Sequence, residues 1–117
     1  MADVKRSARV SERVREALAW LVTQDVRDPR VEGVIVSRVE MPDDLRSAKI
    51  YVRTLDPSKK DEALEGLERA SGMLRSELTK RVQLRYAPTL RFYYDEALEK
   101  QSRIEELLAE VKRDKER

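Results

Sequence analysis

Leu67-Glu68-Arg69-Ala70-Ser71-Gly72-Met73-Leu74-Arg75 is the stretch on which the reading of this chain turns. Apolar or small residues at Leu67, Ala70, Ser71, Leu74, Leu78 and Val82 keep helical spacing straight through Gly72. A glycine inside a helix costs about 1 kcal/mol against alanine, so something compensates for it. Two readings stay open. Gly72 packs closely against a strand or neighbouring helix, with no ligand. Alternatively, a second half-helix begins at the break and brings free backbone N–H groups and a positive helix end together between Arg69 and Arg75, with the Ser71 hydroxyl as a further donor to an anion.

Working outward, the helix containing this stretch begins near Asp56-Pro57-Ser58, where Ser58 and Asp61 have the spacing of a capping box, and runs to about Gln83. Before it, Val34 to Met41 is dense in β-branched residues and ends at the turn Pro42-Asp43-Asp44. Ser47 to Leu55 then alternates Ala48, Ile50 and Val52 against Lys49, Tyr51 and Arg53, so the two segments predict a hairpin with one buried face. The first segment, to about Gln24, places Val10, Val14, Leu18, Leu21 and Val22 on one helical face, with Lys5, Arg6, Arg9, Arg13 and Arg15 largely elsewhere. Asp28-Pro29-Arg30 and Gly33 separate it from the hairpin. Beyond Pro88, Leu90 to Asp95 alternates as a third strand. A last helix is predicted from Ser102, capped by Glu105, with the stripe Ile104, Leu107, Leu108 and Val111, and its end from about residue 112 frays. The order α-β-β-α-(break)-α-β-α predicts one α+β domain over residues 1–117, a three-stranded sheet with helices on one face.

Composition narrows the chemistry. The 117 residues contain no cysteine and no histidine, which removes thiolate nucleophiles, imidazole bases and zinc sites of the usual kind. Asp43-Asp44 is accounted for by turn chemistry, and nothing in the sequence brings it to Asp95-Glu96. No phosphate loop of Walker type occurs. The expectation is no catalysis, no metal and no cofactor. With no long apolar run and no leader-like N-terminus, a cytoplasmic protein without membrane contact is expected.

The net charge of +2 hides an asymmetry: residues 69–91 carry Arg69, Arg75, Lys80, Arg81, Arg85 and Arg91 against Glu77 alone, whereas residues 21–68 are net acidic. Seventeen arginines stand against eight lysines. The guanidinium fork suits phosphate and stacks on bases, while heat adaptation, which the absence of asparagine also fits, accounts for the bias equally well. Tyr86 and Tyr93, interleaved with the cations, are candidate stacking platforms for unpaired bases. The bland alternatives are a solvated basic face, or a protein-docking module using the sheet or the C-terminal stripe.

The residues Arg69 to Leu78, continuing through Lys80-Arg81-Val82 and Leu84-Arg85-Tyr86-Ala87-Pro88-Thr89-Leu90-Arg91-Phe92, resemble the signature of the bacterial ribosome-binding factor A family. Asp28-Pro29-Arg30-Val31, Asp44-Leu45 with Ala48-Lys49-Ile50-Tyr51-Val52, and Tyr94-Asp95-Glu96 with Arg103-Ile104-Glu105-Glu106-Leu107-Leu108 agree in order and spacing. The resemblance implies a type II KH-like domain in which the kink Ala70-Ser71-Gly72 replaces the GXXG loop of ordinary KH domains. It implies a monomeric, non-enzymatic RNA chaperone for the small (30S) ribosomal subunit. Its expected roles are late assembly, 16S rRNA maturation including 5′-end processing, and growth after cold shock, with assembly GTPases aiding its release. The RNA-binding candidates are Arg69, Ala70, Ser71, Gly72, Arg75, Lys80, Arg81, Arg85 and Arg91. With Ala70 in place of a second glycine, the kink should clamp single strands less closely than a GXXG loop, which favours shape and phosphate recognition.

Overall fold

Helix α1 (Arg6–Gln24) follows from its apolar stripe: Val14, Leu18, Leu21 and Val22 are buried, while Arg6, Arg9 and Arg13 face solvent. The structure, a computed structural model, describes residues 5–96 together with Leu107, Leu108 and Val111. At the start of α1, Ser7 and Ser11 are buried, and the Ser11 hydroxyl donates to the Ser7 carbonyl at 2.7 Å. Ser7 Oγ donates to Asp43 Oδ1 at 2.9 Å, tying the helix to the turn of the hairpin.

Asp28 ends the connection out of α1. Its carboxylate accepts the Arg30 backbone N–H and caps a short 3-10 turn, Pro29–Val31. Strands β1 (Val34–Glu40) and β2 (Ser47–Thr54) pair antiparallel, and β3 (Thr89–Tyr94) adds beside β2 in parallel, giving the sheet order β1-β2-β3. A bulge interrupts β1 between Val36 and Arg38. Strict alternation would send Arg38 inward with Val34 and Val36; the extra residue, Ser37, turns Arg38 to the open face and leaves Val39 and Met41 against the core. Ser37 Oγ donates to Asp95 Oδ2 at 2.8 Å, which holds the bulge in place.

Helix α2 (Lys60–Val82) returns the chain from β2 to β3. Both helices lie on one side of the sheet, where Leu18, Leu21, Leu67, Leu74 and Leu78 meet Val36, Ala48, Ile50, Val52 and Leu90 in one buried cluster. The α+β class, the three strands and the one-sided helices agree with the sequence reading.

Three expectations need correction or placement. The predicted pair of helices around residues 70–72 is one helix of 23 residues, so no second helix starts there and the backbone N–H groups are engaged in helical bonding. No Ser58-Asp61 capping box forms: Asp56 accepts from the Ser58 N–H at 3.0 Å and hydroxyl at 2.8 Å, capping a 3-10 turn, Pro57–Lys59, that feeds into α2. The start of the last helix, Ser102 to Glu105, and the end from residue 112 lie outside the described residues, whereas Leu107, Leu108 and Val111 are helical and exposed.

Candidate nucleic-acid interface

The glycine that packs closely is Gly66, one turn before Ala70. A Cβ there would lie 2.8 Å from Val31 Cγ2 and 3.2 Å from Arg30 Cβ, so only glycine lets the Pro29–Val31 turn rest on α2. A Cβ on Gly72 would meet nothing within 4 Å. Neither expected role of Gly72 is realised in this conformation: it neither packs tightly nor opens a helix terminus. Ala70 packs against the core, and Ser71 is half-buried beside it.

The cations expected around this segment are distributed over five places. Arg69 lies 3.6 Å from Glu65, next to the Arg30–Asp28 pair, and Lys80 lies 3.7 Å from Glu77. Arg75 donates through Nε to the Pro88 carbonyl at 3.0 Å and through Nη2 to the Ala87 carbonyl at 2.8 Å. That clasp pins the segment between α2 and β3. Arg91 stands on the open face of the sheet, beside Lys49 in the β2–β3 register. Arg81 and Arg85 remain together at the C-terminal end of α2.

That end is shaped by Gln83, whose left-handed backbone (φ 56°, ψ 48°) stops the helix while the Leu84 N–H bonds back to the Thr79 carbonyl at 3.1 Å. Leu84 then packs on the core and Pro88 is buried, which leaves Arg85 and Tyr86 to project between them. Arg6, Arg9 and Arg13, on successive turns of α1, face the same cleft of about 520 Å³ as Arg85 and Tyr86. Asp43 and Asp44 lie on its wall; Asp43 accepts from Ser7 and Asp44 from the Arg46 N–H at 3.1 Å. The Tyr86 ring, 45% exposed, has the Arg46 guanidinium 4.6 Å and the Arg85 guanidinium 5.5 Å from its centroid. Beside the cleft, Arg81 lies 4.0 Å over Trp20, itself 46% exposed, in a groove that shares Arg13.

Arg6, Arg9, Arg13, Arg46, Arg81 and Arg85 have no ion-pair partner among the described residues, although the chain is rich in carboxylates and pairs Arg15, Arg30, Arg38, Lys59, Lys60, Arg69 and Lys80. Six unneutralised guanidiniums around two accessible rings make a surface for phosphates and unpaired bases. The α1 arginines and Arg46 are the part that sequence reading did not join to the site. The spacing of Arg6, Arg9 and Arg13 shows a helical stripe, but only the packing of α1 beside the end of α2 brings it to Arg85. Among the described residues no group of three or more Asp, Glu, His or Cys is placed to hold a metal ion, and no helix is long and apolar enough to cross a membrane.

An antiparallel hairpin, a parallel return strand and two helices on one face define a KH-like α+β domain, here with an unpaired basic rim. A family model described as Ribosome-binding factor A matches residues 6–108, and the chain belongs to that family. It is 52% identical over 113 residues to the ribosome-binding factor A of Sorangium cellulosum, covering 93% of this chain and 90% of the relative. The solution structure of a Thermotoga maritima protein described as a putative ribosome binding factor A is similar with a TM-score of 0.69 and 36% identity, over 80% of this chain and 90% of that one. The Thermus thermophilus ribosome binding factor A homology model, as fitted into the cryo-EM map of a 30S–RbfA complex, is similar with a TM-score of 0.66 and 30% identity, over 77% of this chain and 96% of that one.

Proposed function

We propose that this protein binds the small (30S) ribosomal subunit through its rRNA during late assembly, as a non-catalytic RNA chaperone. The observation that carries the reading is the set of six unpaired arginines around Tyr86 and Trp20 at one end of the domain. It is supported by the likeness to a relative fitted into a 30S complex. The family resemblance extends the proposal to 16S rRNA maturation, including processing of the 5′ end, to growth in the cold, and to release aided by assembly GTPases. A cytoplasmic monomer is the form proposed. In this reading Arg6, Arg9, Arg13, Arg46, Arg81 and Arg85 contact phosphates and the two rings receive bases or sugars, while Arg75 holds the segment that presents Arg85.

Sedimentation with purified small subunits at low salt tests it. The protein should travel with the subunit peak, and the double variant Arg9→Glu, Arg85→Glu should remain near the top of the gradient. A wild-type protein found only in the free fraction contradicts the proposal.

A further inference from the structure

The sheet has a second surface, facing away from both helices, that the basic rim does not include. One register row crosses all three strands on it: Arg38 is paired with Tyr51, and Tyr51 with Tyr93. The Arg38 guanidinium lies 4.0 Å from the Tyr51 centroid, and the Tyr51 and Tyr93 rings are stacked with centroids 5.6 Å apart. Tyr93, on the edge strand, ends this stack with 38% of its surface exposed.

The charges around the stack are mostly positive: Arg38, Lys49, Arg53 and Arg91 stand against Glu40 and Asp95. The two carboxylates in reach, Glu40 at 3.0 Å and the buried Asp95 at 3.8 Å, are both engaged with Arg38. Lys49, Arg53 and Arg91 are exposed and have no ion-pair partner among the described residues. Lys49 stands in register between Glu40 of β1, which is ion-paired with Arg38, and Arg91 of β3, so that on its β3 side two like charges are neighbours. Cross-strand packing explains the ring stack but not this juxtaposition.

We propose that this open face is a second RNA contact, which holds a short unpaired stretch with a base continuing the stack at Tyr93 and its flanking phosphates on Lys49, Arg91 and Arg53. A surface of flat rings set among unpaired cations matches a single strand, whose bases are free to stack; a duplex hides its base faces. The surface joins the rim at the start of β3, where Thr89 borders the groove of Arg46, Arg85 and Tyr86 and lies two residues, about 6.6 Å, from Arg91. One strand can therefore pass from rim to sheet. The inference rests on the ribosome-binding proposal only in choosing RNA as the polyanion.

The test is anisotropy of a labelled short oligouridylate with the full-length protein, repeated with an RNA duplex, with the matching single-stranded DNA, and with polyglutamate as competitor. Tyr93→Ala should weaken oligouridylate binding about tenfold, since stacking on one aromatic ring is worth that order. Tyr93→Phe should retain binding, and Arg91→Glu should weaken it independently of the ring, which keeps the test decisive if Tyr93→Ala does not fold. Duplex affinity should change less than about twofold in all three variants. The proposal is overturned if Tyr93→Ala and Arg91→Glu bind oligouridylate as well as wild type, or lose duplex binding equally. Displacement by polyglutamate at equal charge would also overturn it, in favour of an acidic protein partner, and equal affinity for DNA would overturn the choice of RNA. Subunit sedimentation of the same proteins separates the two proposals: loss of subunit association by the wild type contradicts the first and leaves the oligonucleotide result standing.

Discussion

Gly66 and Gly72 sit six residues apart in the same helix and have opposite surroundings. The site on Gly72 is open, so alanine there gains helix propensity and loses unfolded-state freedom without meeting a neighbour. Gly72→Ala should stabilise the protein by about 0.5–1 kcal/mol, read as a rise in denaturant midpoint with unchanged slope. Gly66→Ala should destabilise it by about 1–3 kcal/mol, because the new methyl group meets the stiff, buried side chain of Val31 at 2.8 Å. Equal shifts of the two variants would contradict this assignment. Periodicity alone could not separate the two residues, since the contact that makes one indispensable comes from the Pro29–Val31 turn. If Gly72→Ala is more stable yet binds subunits less well, its open position serves the bound state and not the fold.

The connections set how the elements meet, and Asp28 is the residue on which one of them depends. Its carboxylate accepts Arg30 Nη2 at 2.6 Å and the Arg30 N–H at 3.0 Å, and this hydrogen bonding holds its pKa down to about 2. An unfolded aspartate titrates near 3.9, so the folded chain binds this proton less readily and the contribution is complete above about pH 4. As pH falls toward 2 the carboxylate protonates and the contribution is lost. Asp28→Asn should therefore show a shallower fall in unfolding free energy than wild type between about pH 4 and pH 2, measured by denaturant titration at each pH. Parallel profiles would contradict the cap. The strands and α1 were legible in the sequence because alternation and the helical stripe are local signals; β1–β2 pairing followed from the turn at Pro42-Asp43-Asp44. The caps were less legible. Ser58-Asp61 has the right spacing, yet Asp56 two residues earlier takes the Ser58 donors. The bulge at Ser37 was also invisible, because it is fixed by Asp95, 58 residues away.

Across the whole molecule the site divides what the sequence presents as one basic run. Arg69 and Lys80 face carboxylates, Arg75 clasps the Ala87 and Pro88 carbonyls, and Arg91 belongs to the opposite face of the sheet. Arg81 and Arg85 are joined instead by Arg6, Arg9, Arg13 and Arg46, drawn from a helix and a loop far away in the chain. Charge counting along the sequence shows a local excess of cations, and only the packing of α1 along α2 decides which of them lie together. On the proposed function, the unpaired arginines, and not the paired ones, contact rRNA phosphates. The most direct measurement is the slope of log K against log salt for small-subunit binding, compared between wild type, a variant with Arg9, Arg13 and Arg85 each changed to alanine, and a variant with Arg69 and Lys80 changed to alanine. Each lost phosphate contact should reduce the slope by about 0.7–0.9, so the first variant should be flatter by about 2 to 3 and the second unchanged. A first variant with the wild-type slope, or a second variant that flattens as much per residue, would rule out this division of the arginines.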